Sequence, residues 1–592
     1  MLHADPRRLM SRRYAIFLPD RRNTPTGQPQ WSADLGLPVG LEWAATPLMT
    51  VASAASIAIG DEGAGFILGE LIRNDGKAPI GALEPADARA ILKSGARHLV
   101  ENFWGAYLAV LVTNEKDVTV LRAPLGDLPA YVWRSHRGLL IASDADLLTK
   151  VGEYHPAVDW IGVARHLIAP DLRRRDTCLS RIEELAGGEE GRWQNGLWSV
   201  RARWSPWDAV SREPRSVHPR AAAERVADVT RRAVAARTAR FDRTLVLLSG
   251  GLDSSVVAAS LARAGRPFHA LTMVTRDRGG DERSYARMVA SHIGCELVEV
   301  SRRVSEVDIE RSLARGLPRP SERSFSQATR AAAHQLACET GAQAVIHGGG
   351  GDNVFCSVQS GAPVTDRLLI SGPDRCFWKV AAEIAALAQT SVYRVLRQAI
   401  ARAMRRDRRY RPVANIALLS RDAVSMAESA LDHPWFHVPA GGLPGSAGHI
   451  GSIAAAQSLV QSPDPGLSLP SISVLVSQPI VEACVSVPSW HWYDRGCNRA
   501  VARHGFADDL PEGVTWRRSK GIMDSFVIEI FEANREALST MLLDGRLAAN
   551  GMIDRDAVHS VLLHRVPTGA SDCARVMLLA DVEAWARSWG DR

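Results

Sequence analysis

Residues 244–255 read TLVLLSGGLDSS. Thr244 to Leu248 is a short apolar run that predicts a buried strand, and Ser254 to Ala264 continues in a helix-compatible pattern. Between them, Gly250 and Gly251 let the backbone approach an anion closely, and the helix start presents unpaired N–H groups and a partial positive charge. Ser249 and Ser254 add hydroxyl donors. The stretch therefore reads as a phosphate cradle, with Leu248, Ser249, Gly250, Gly251, Asp253 and Ser254 around the anion. An acid inside such a cradle makes chemical sense when a cation lies between it and the phosphates, which makes Asp253 a metal-ligand candidate. It is not a Walker A loop, because G-x-x-x-x-G-K-[ST] occurs nowhere in the chain. Nor is a dinucleotide fingerprint present: Gly63-Ala64-Gly65 is followed by Gly69, one residue too late.

Outward from the cradle, a second strand is predicted at His269 to Val274, which completes a parallel βαβ unit. A third buried strand at Ala344 to His347 runs into another glycine-rich turn, Gly348-Gly349-Gly350-Gly351-Asp352-Asn353. In a parallel sheet both turns sit at the carboxyl ends of strands, where ligands bind. Asp253 and Asp352 thus form a candidate Mg²⁺ pair, since Mg²⁺ takes one or two carboxylates plus phosphate oxygens and water. Gly348 and Gly349 belong to this second turn, and Thr272 and Met273 to the second strand of the unit.

The chain has 592 residues with 46% hydrophobic and 23% charged side chains, an ordinary globular composition. At roughly 150 residues per domain this predicts several domains or two large ones. Lys and Arg total 71 against 65 Asp and Glu, a net +6, which does not indicate a nucleic-acid binder. The eight cysteines form no C-x-x-C pair, so neither a zinc site nor a dense disulfide framework is expected. With no signal peptide and no apolar run of spanning length, the expectation is a cytoplasmic protein without membrane contact.

Up to about residue 205, short strands such as Tyr14 to Leu18, Tyr107 to Val112, Val118 to Arg122 and Leu139 to Ala142 alternate with turns. This predicts a sheet-rich α+β domain at 1–204. Ser205 to His218 is rich in Ser, Pro and Arg and reads as a linker, with Pro206 and Pro214 discouraging regular structure. The second, α/β domain occupies 219–592 and opens on a helix from Pro219 to Thr238.

The SGGLDS loop matches the PP-loop of ATP pyrophosphatases, and the second domain resembles the synthetase domain of the asparagine synthetase family. That family follows the PP-loop with G-x-G-x-D-E, here GGGGDN, with Asn353 in place of the last acid. Arg499, Arg503, Leu510-Pro511 and WRRSKG at 516–521 resemble its late segment, K-x-x-x-R then L-P-x-x-x-x-x-R-x-x-K. The resemblance implies that ATP binds over Leu248 to Ser254 with Gly348 and Gly349, its adenine against Thr272 and Met273, that Lys520 stabilises charge developing at the acyl carbon, and that Arg499 holds departing pyrophosphate. Segments around Asn102, Arg122 to Tyr131 and Ile141 to Asp144 resemble degraded motifs of class II glutamine amidotransferases. The resemblance thus implies a degenerate amidotransferase-like, Ntn-type sandwich followed by a PP-loop ligase domain.

Active amidotransferases of that class use an N-terminal cysteine, whereas here Met1 precedes Leu2 and the first cysteine is Cys178. Loss of glutaminase activity is expected. Relatives lacking that cysteine include β-lactam synthetases and lasso-peptide macrolactam synthetases, which close a ring with an amine of the same molecule. His433-Pro434-Trp435, the segment Val476 to Glu482, and Arg499 to Gly521 resemble the lasso type. Where asparagine synthetases carry E-x-R-x-P-F-x-D, Ser477 replaces the Asp and Pro470 falls at the Glu. This resemblance implies an AMP-forming ligase using ATP and Mg²⁺ on a linear core peptide, with a leader peptidase and a leader-recognition protein acting first. The alternatives are an asparagine or β-lactam synthetase-like ligase on a small amino acid, and a non-catalytic peptide-binding relative.

Three further stretches carry expectations. Trp378 to Arg411 reads as one long helix whose second half, from Arg394, is strongly basic: either a docking surface for an acidic peptide, a partner or RNA, or a solvated face. Pro439 to Gly448 reads as a flexible loop. Trp490 to Tyr493 either packs in the core or lines a substrate pocket.

Overall fold

The computed structural model describes residues 12–20, 41–42, 49–52, 56–60, 64–114, 117–151, 154–212, 218–277, 280–460, 469–518, 524–563 and 570–590. Lys520 lies outside them.

The N-terminal part is a two-layer antiparallel sandwich. Each layer is a six-stranded sheet, one centred on Gly138–Ala142 and Tyr14–Pro19, the other on Asp117–Arg122 and Phe103–Asn114. Strand alternation decides which side chains meet between the layers. Ile16, Leu18, Phe66, Leu68, Leu108, Val110 and Ile141 fill the interior. Their sequence neighbours face outward, yet are buried too, because each outer face is covered. Ile67, Ala109 and Leu111 pack into the core that includes Val226, Val246 and Val256 of the C-terminal domain. Ala15, Tyr131 and Leu140 pack beneath the C-terminal helices, including Trp585. The two halves of the chain are therefore joined by shared hydrophobic cores.

The C-terminal domain is built on a parallel sheet of five strands: β1 (Thr244–Leu247), β2 (Phe268–Val274), β3 (Leu297–Ser301), β4 (Val345–His347) and β5 (Ser471–Ser473), in the order β3-β2-β1-β4-β5. Parallel pairing puts Leu247 level with both Leu271 and His347. The strand order reverses between β1 and β4, and the crevice at the carboxyl ends of those strands is the position favoured for ligands in open α/β sheets. The two glycine-rich turns emerge there.

The helix expected at Pro219 to Thr238 forms over Pro219–Thr238, with His218 Nδ1 capping Arg220 N–H at 3.3 Å. Three expectations are corrected. The stretch read as linker contains a helix, Pro206–Arg212, because proline is tolerated in a first turn and Ser205 Oγ accepts the Trp207 N–H. Trp378 to Arg411 is not one helix but the end of Arg375–Leu387 followed by Val392–Met404. Gln389 takes a left-handed φ of 49°, Ser391 Oγ caps the new helix at Arg394 N–H, and Arg406, at φ 52°, lies past its end. Pro439 to Gly448 is not a flexible loop throughout, since Pro444 starts the helix Pro444–Ala456. Its glycines serve close packing: Asp366 accepts the Gly445 N–H at 2.7 Å, and a Cβ there would lie 2.4 Å from Asp366 Oδ2.

Candidate active site

The cradle forms as a turn between β1 and the helix Leu252–Arg263. Gly250 takes φ 69°, and a Cβ there would lie 2.5 Å from the Ala286 backbone, so both conformation and space demand glycine. Ser249 and Ser254 hydroxyls lie 3.2 Å apart, Ser249 Oγ accepts the Gly251 N–H at 3.3 Å, and Ser255 Oγ donates to Gly251 O at 2.8 Å. These bonds hold the loop open at the helix start, where anions bind.

The second turn, after β4, packs directly on the first. A Cβ on Gly348 would lie 2.6 Å from Ser254 N, and one on Gly351 would lie 2.6 Å from the Asp253 side chain. Glycine at these positions is what lets the two turns touch. His347 accepts the Gly349 N–H at Nδ1, and burial, helped by the charge of Arg330, lowers its pKa to about 4, so the ring is neutral near pH 7. Asn353, standing where the resembling family has an acid, instead donates to Ser452 O at 2.8 Å and ties the turn to the helix Pro444–Ala456.

A cavity of about 420 Å³ lies between the turns, with Ser249, Gly251, Asp253 and Ser254 on one side and Gly348, Gly349 and Asp352 on the other. Three arginines close it: Arg499, Arg503 and Arg517. Arg499 sits at φ 59°, just before the helix Ala500–Gly505, and its Nη1 lies 3.2 Å from both carboxylate oxygens of Asp253 while also bonding Asp352 Oδ1. Arg503 is buried and donates to Asn498 O and Thr515 O. Burial depresses its pKa, Arg499 adds to that, and Asp253 and Asp352 oppose it. Arg517 pairs with Glu282 at 2.9 Å and stacks 3.7 Å over the Tyr285 ring.

Of the residues singled out from sequence, Ser249, Gly251, Asp253, Ser254, Gly348, Gly349, Asp352 and Arg499 line this cavity. Leu248, Gly250, Thr272 and Met273 do not line it: Leu248 and Thr272 are buried, Met273 is half-buried, and Gly250 faces Tyr285 and Ala286. Sequence reasoning missed Glu282, which arrives from a different loop and carries no motif. It named Arg517 only as part of a segment; Arg517 is the arginine of the L-P-x-x-x-x-x-R pattern. Trp490, Trp492 and Tyr493 belong to the core, with Trp492 edge-on to His449 at 5.5 Å. Trp435 also packs structurally, its carbonyl accepting Trp207 Nε1 at 2.8 Å.

Two carboxylates reaching one nitrogen can also converge on one divalent cation, and a surrounding of glycine N–H groups and arginines leaves phosphate oxygens to complete its shell. The donor set fits Mg²⁺ with a nucleotide, and Asp253 and Asp352 would hold it. No group of three or more His, Cys, Asp or Glu side chains that could hold a metal ion occurs among the described residues. Among the described residues no helix is long and apolar enough to cross a membrane.

Residues 225–438 and 475–587 match the protein-family model described as asparagine synthase. No curated protein matches the chain. Solved structures that resemble it include one described as the allosteric regulatory enzyme of purine biosynthesis, at 11% identity and a TM-score of 0.21, covering 58% of this chain and 84% of that one. Another is glutamine phosphoribosylpyrophosphate (PRPP) amidotransferase from B. subtilis complexed with ADP and GMP, at 10% identity and a TM-score of 0.21, covering 58% and 86%.

Proposed function

This chain belongs to the asparagine synthase family, and from that premise we propose that it is an AMP-forming macrolactam synthetase of the lasso-peptide type. Family membership supports ATP-dependent carbon–nitrogen ligation in general. The observation that carries the adenylating half is the convergence of Asp253 and Asp352 between two glycine turns at the β1/β4 crevice.

Ser249, Ser254 and the N–H groups at the start of Leu252–Arg263 would grip the phosphates of ATP, and Asp253 and Asp352 would hold Mg²⁺. Bound there, the ion neutralises phosphate charge and steadies the pyrophosphate leaving group. Arg499 and Arg517 meet that leaving group as cations. A side-chain carboxylate of an Asp or Glu in a leader-free peptide attacks the α-phosphorus, giving an acyl-adenylate and pyrophosphate. The peptide's own N-terminal amine then attacks the acyl carbon; an isopeptide bond forms, AMP departs, and Lys520 stabilises the oxyanion.

Residues 1–177 contain no cysteine. Cys178 is buried, and burial pushes its thiol up to about 12, far from a thiolate nucleophile. A ligase with no glutamine-hydrolysing thiol must take its amine from elsewhere, and an intramolecular amine pre-positioned on the peptide gains the entropic advantage of a tethered reactant. A leader peptidase with a leader-recognition protein would expose that amine.

The test mixes the full chain with Mg²⁺-ATP and a linear peptide with a free N-terminus and an internal Asp or Glu. Peptide mass falling by one water, with AMP formed, is the expected result. AMP formed only with free aspartate and ammonia assigns the protein to small amino acids instead. No nucleotide turnover with either substrate favours a non-catalytic relative. Asp253→Ala should abolish AMP formation, and retained turnover would remove the metal assignment.

A further inference from the structure

A second cavity, about 800 Å³, lies at the opposite end of the helix Leu252–Arg263 from the phosphate cradle. Ser260 and Arg263 reach it, about 10 Å and about 15 Å from Asp253 along the helix axis at 1.5 Å per residue. Its walls come from both halves of the chain: the sandwich loop 74–77, the helix Pro219–Thr238, and the helix Gln478–Val485.

Six cations line it: Lys77, Arg225, Arg231, Arg232, Arg263 and Arg266. Only two carboxylates do so, Asp75 and Glu482. Asp75 is an exposed side chain beside Arg73 at 3.5 Å, and Glu482 is held by Trp204 Nε1 at 2.7 Å and Gln478 Nε2 at 3.0 Å. Arg231 and Arg263 share Asp509, at 2.6 and 2.8 Å. Lys77, Arg232 and Arg266 have no ion-pair partner among the described residues. Arg225 is oriented by Ser486 Oγ and Ala483 O. Between the cations the surface is apolar, formed by Val229, Ala233 and Pro479.

Like charges converging in a concave, partly apolar cleft raise a positive potential that water and salt screen less well than on an open surface. An anion relieves that repulsion. We propose that this cleft is a second ligand site, separate from the nucleotide site, for a small organic anion. Its carboxylate or phosphate groups meet Lys77, Arg232 and Arg266, and its apolar body lies on Val229, Ala233 and Pro479. Because both domains line the cleft, the ligand bridges them. The inference rests on this cleft alone and stands whichever ligation reaction the phosphate cradle performs.

The probe is anilinonaphthalene sulfonate, an apolar body with one anionic group, titrated into the full chain by fluorescence. One saturable site is expected, weakened at least about tenfold in Arg232→Glu/Arg266→Glu, the equivalent of about 1.4 kcal/mol. Arg232→Lys/Arg266→Lys should restore it, and Asp253→Ala should leave it unchanged. Displacement by citrate assigns carboxylate recognition, and displacement by inorganic phosphate assigns phosphate. If the double charge reversal does not fold, Arg232→Glu alone, at an exposed position, carries the comparison. Equal binding to wild type and charge-reversed protein, loss of binding in Asp253→Ala, or displacement by neither anion overturns the proposal.

Discussion

Asp253 and Asp352, delivered by two different glycine turns, meet on a single nitrogen of Arg499. Two carboxylates that close repel each other unless a cation lies between them. In this structure that cation is Arg499, whose nitrogen takes the position between the carboxylates that a divalent ion would also take, so the two would compete for the same oxygens. Arg499→Ala should therefore respond to Mg²⁺ more strongly than wild type, with the melting midpoint raised by about 2 °C or more beyond the wild-type shift. Turnover should nevertheless fall about 100-fold through loss of a cation at the reacting phosphates. Differential scanning fluorimetry with and without Mg²⁺ checks the first expectation, and equal shifts in both proteins would remove the competition.

The turns touch because glycine stands at the contact. In Gly351→Ala the new methyl group would meet the Asp253 side chain at 2.6 Å and Leu475 at 2.8 Å. Either the second turn lifts away from the first or Asp253 rotates out of the cavity. Stability should drop by about 1–3 kcal/mol, and AMP formation should drop far more than that loss explains. A folded Gly351→Ala protein with wild-type turnover would show that the spacing of the turns does not matter.

The cradle was legible in sequence because a strand, two glycines and a helix start are consecutive, and their chemistry needs no distant partner. The strand expected at Thr244 to Leu248 forms over Thr244–Leu247, and that expected at His269 to Val274 over Phe268–Val274. Glu282 was not legible, since its role comes from Arg517, far along the chain. The Pro/Gly-rich stretch at 439–448 misled because glycine serves two opposite ends, freedom in a loop and close approach in a packed helix. Only the neighbours, here Asp366 and Ser489 against Gly445, tell them apart. The helix break at Gln389 was hidden for a similar reason: Thr390-Ser391 is a weak local signal, and it becomes a helix start once Ser391 caps Arg394.

The joint between the two halves holds a buried charge cluster. Glu70 and Asp127 of the sandwich both bond Arg237 of the helix Pro219–Thr238, with Arg12 2.6 Å and Arg240 2.5 Å from Glu70. Arg237, Glu70 and Asp127 are each less than a tenth exposed. Burial holds the Arg237 guanidinium well below its ordinary pKa, with Arg12 and Arg240 lowering it further. Removing one member of a buried ion pair costs about 3–5 kcal/mol because the other charge stays behind. Arg12 and Arg240 remain to offset part of that, so Arg237→Ala should lose roughly 3 kcal/mol in urea denaturation. A loss no larger than that of an exposed arginine would mean that the cluster contributes nothing to joining the domains.

Acid should loosen the fold through its buried histidines. His449, on the helix Pro444–Ala456, is 2% exposed and donates from Nε2 to Val354 O at 2.8 Å. Burial lowers its pKa to about 4, against an ordinary 6.5, while the Val354 carbonyl works in the opposite direction. Between these two values the unfolded chain binds a proton that the folded chain refuses. The stability contributed by neutral His449 is thus fully present above pH 6.5 and is lost as pH falls toward 4. Each tenfold difference in proton affinity is worth about 1.4 kcal/mol, so the loss is of the order of 3 kcal/mol over that window. His166, lowered to about 3, and His433, lowered to about 4, add in the same direction. In His449→Gln the amide can keep the bond to Val354 without a titrating group, so urea midpoints measured from pH 7 to pH 4 should fall less steeply than in wild type. Parallel slopes in the two proteins would show that His449 takes up its proton without cost to the fold.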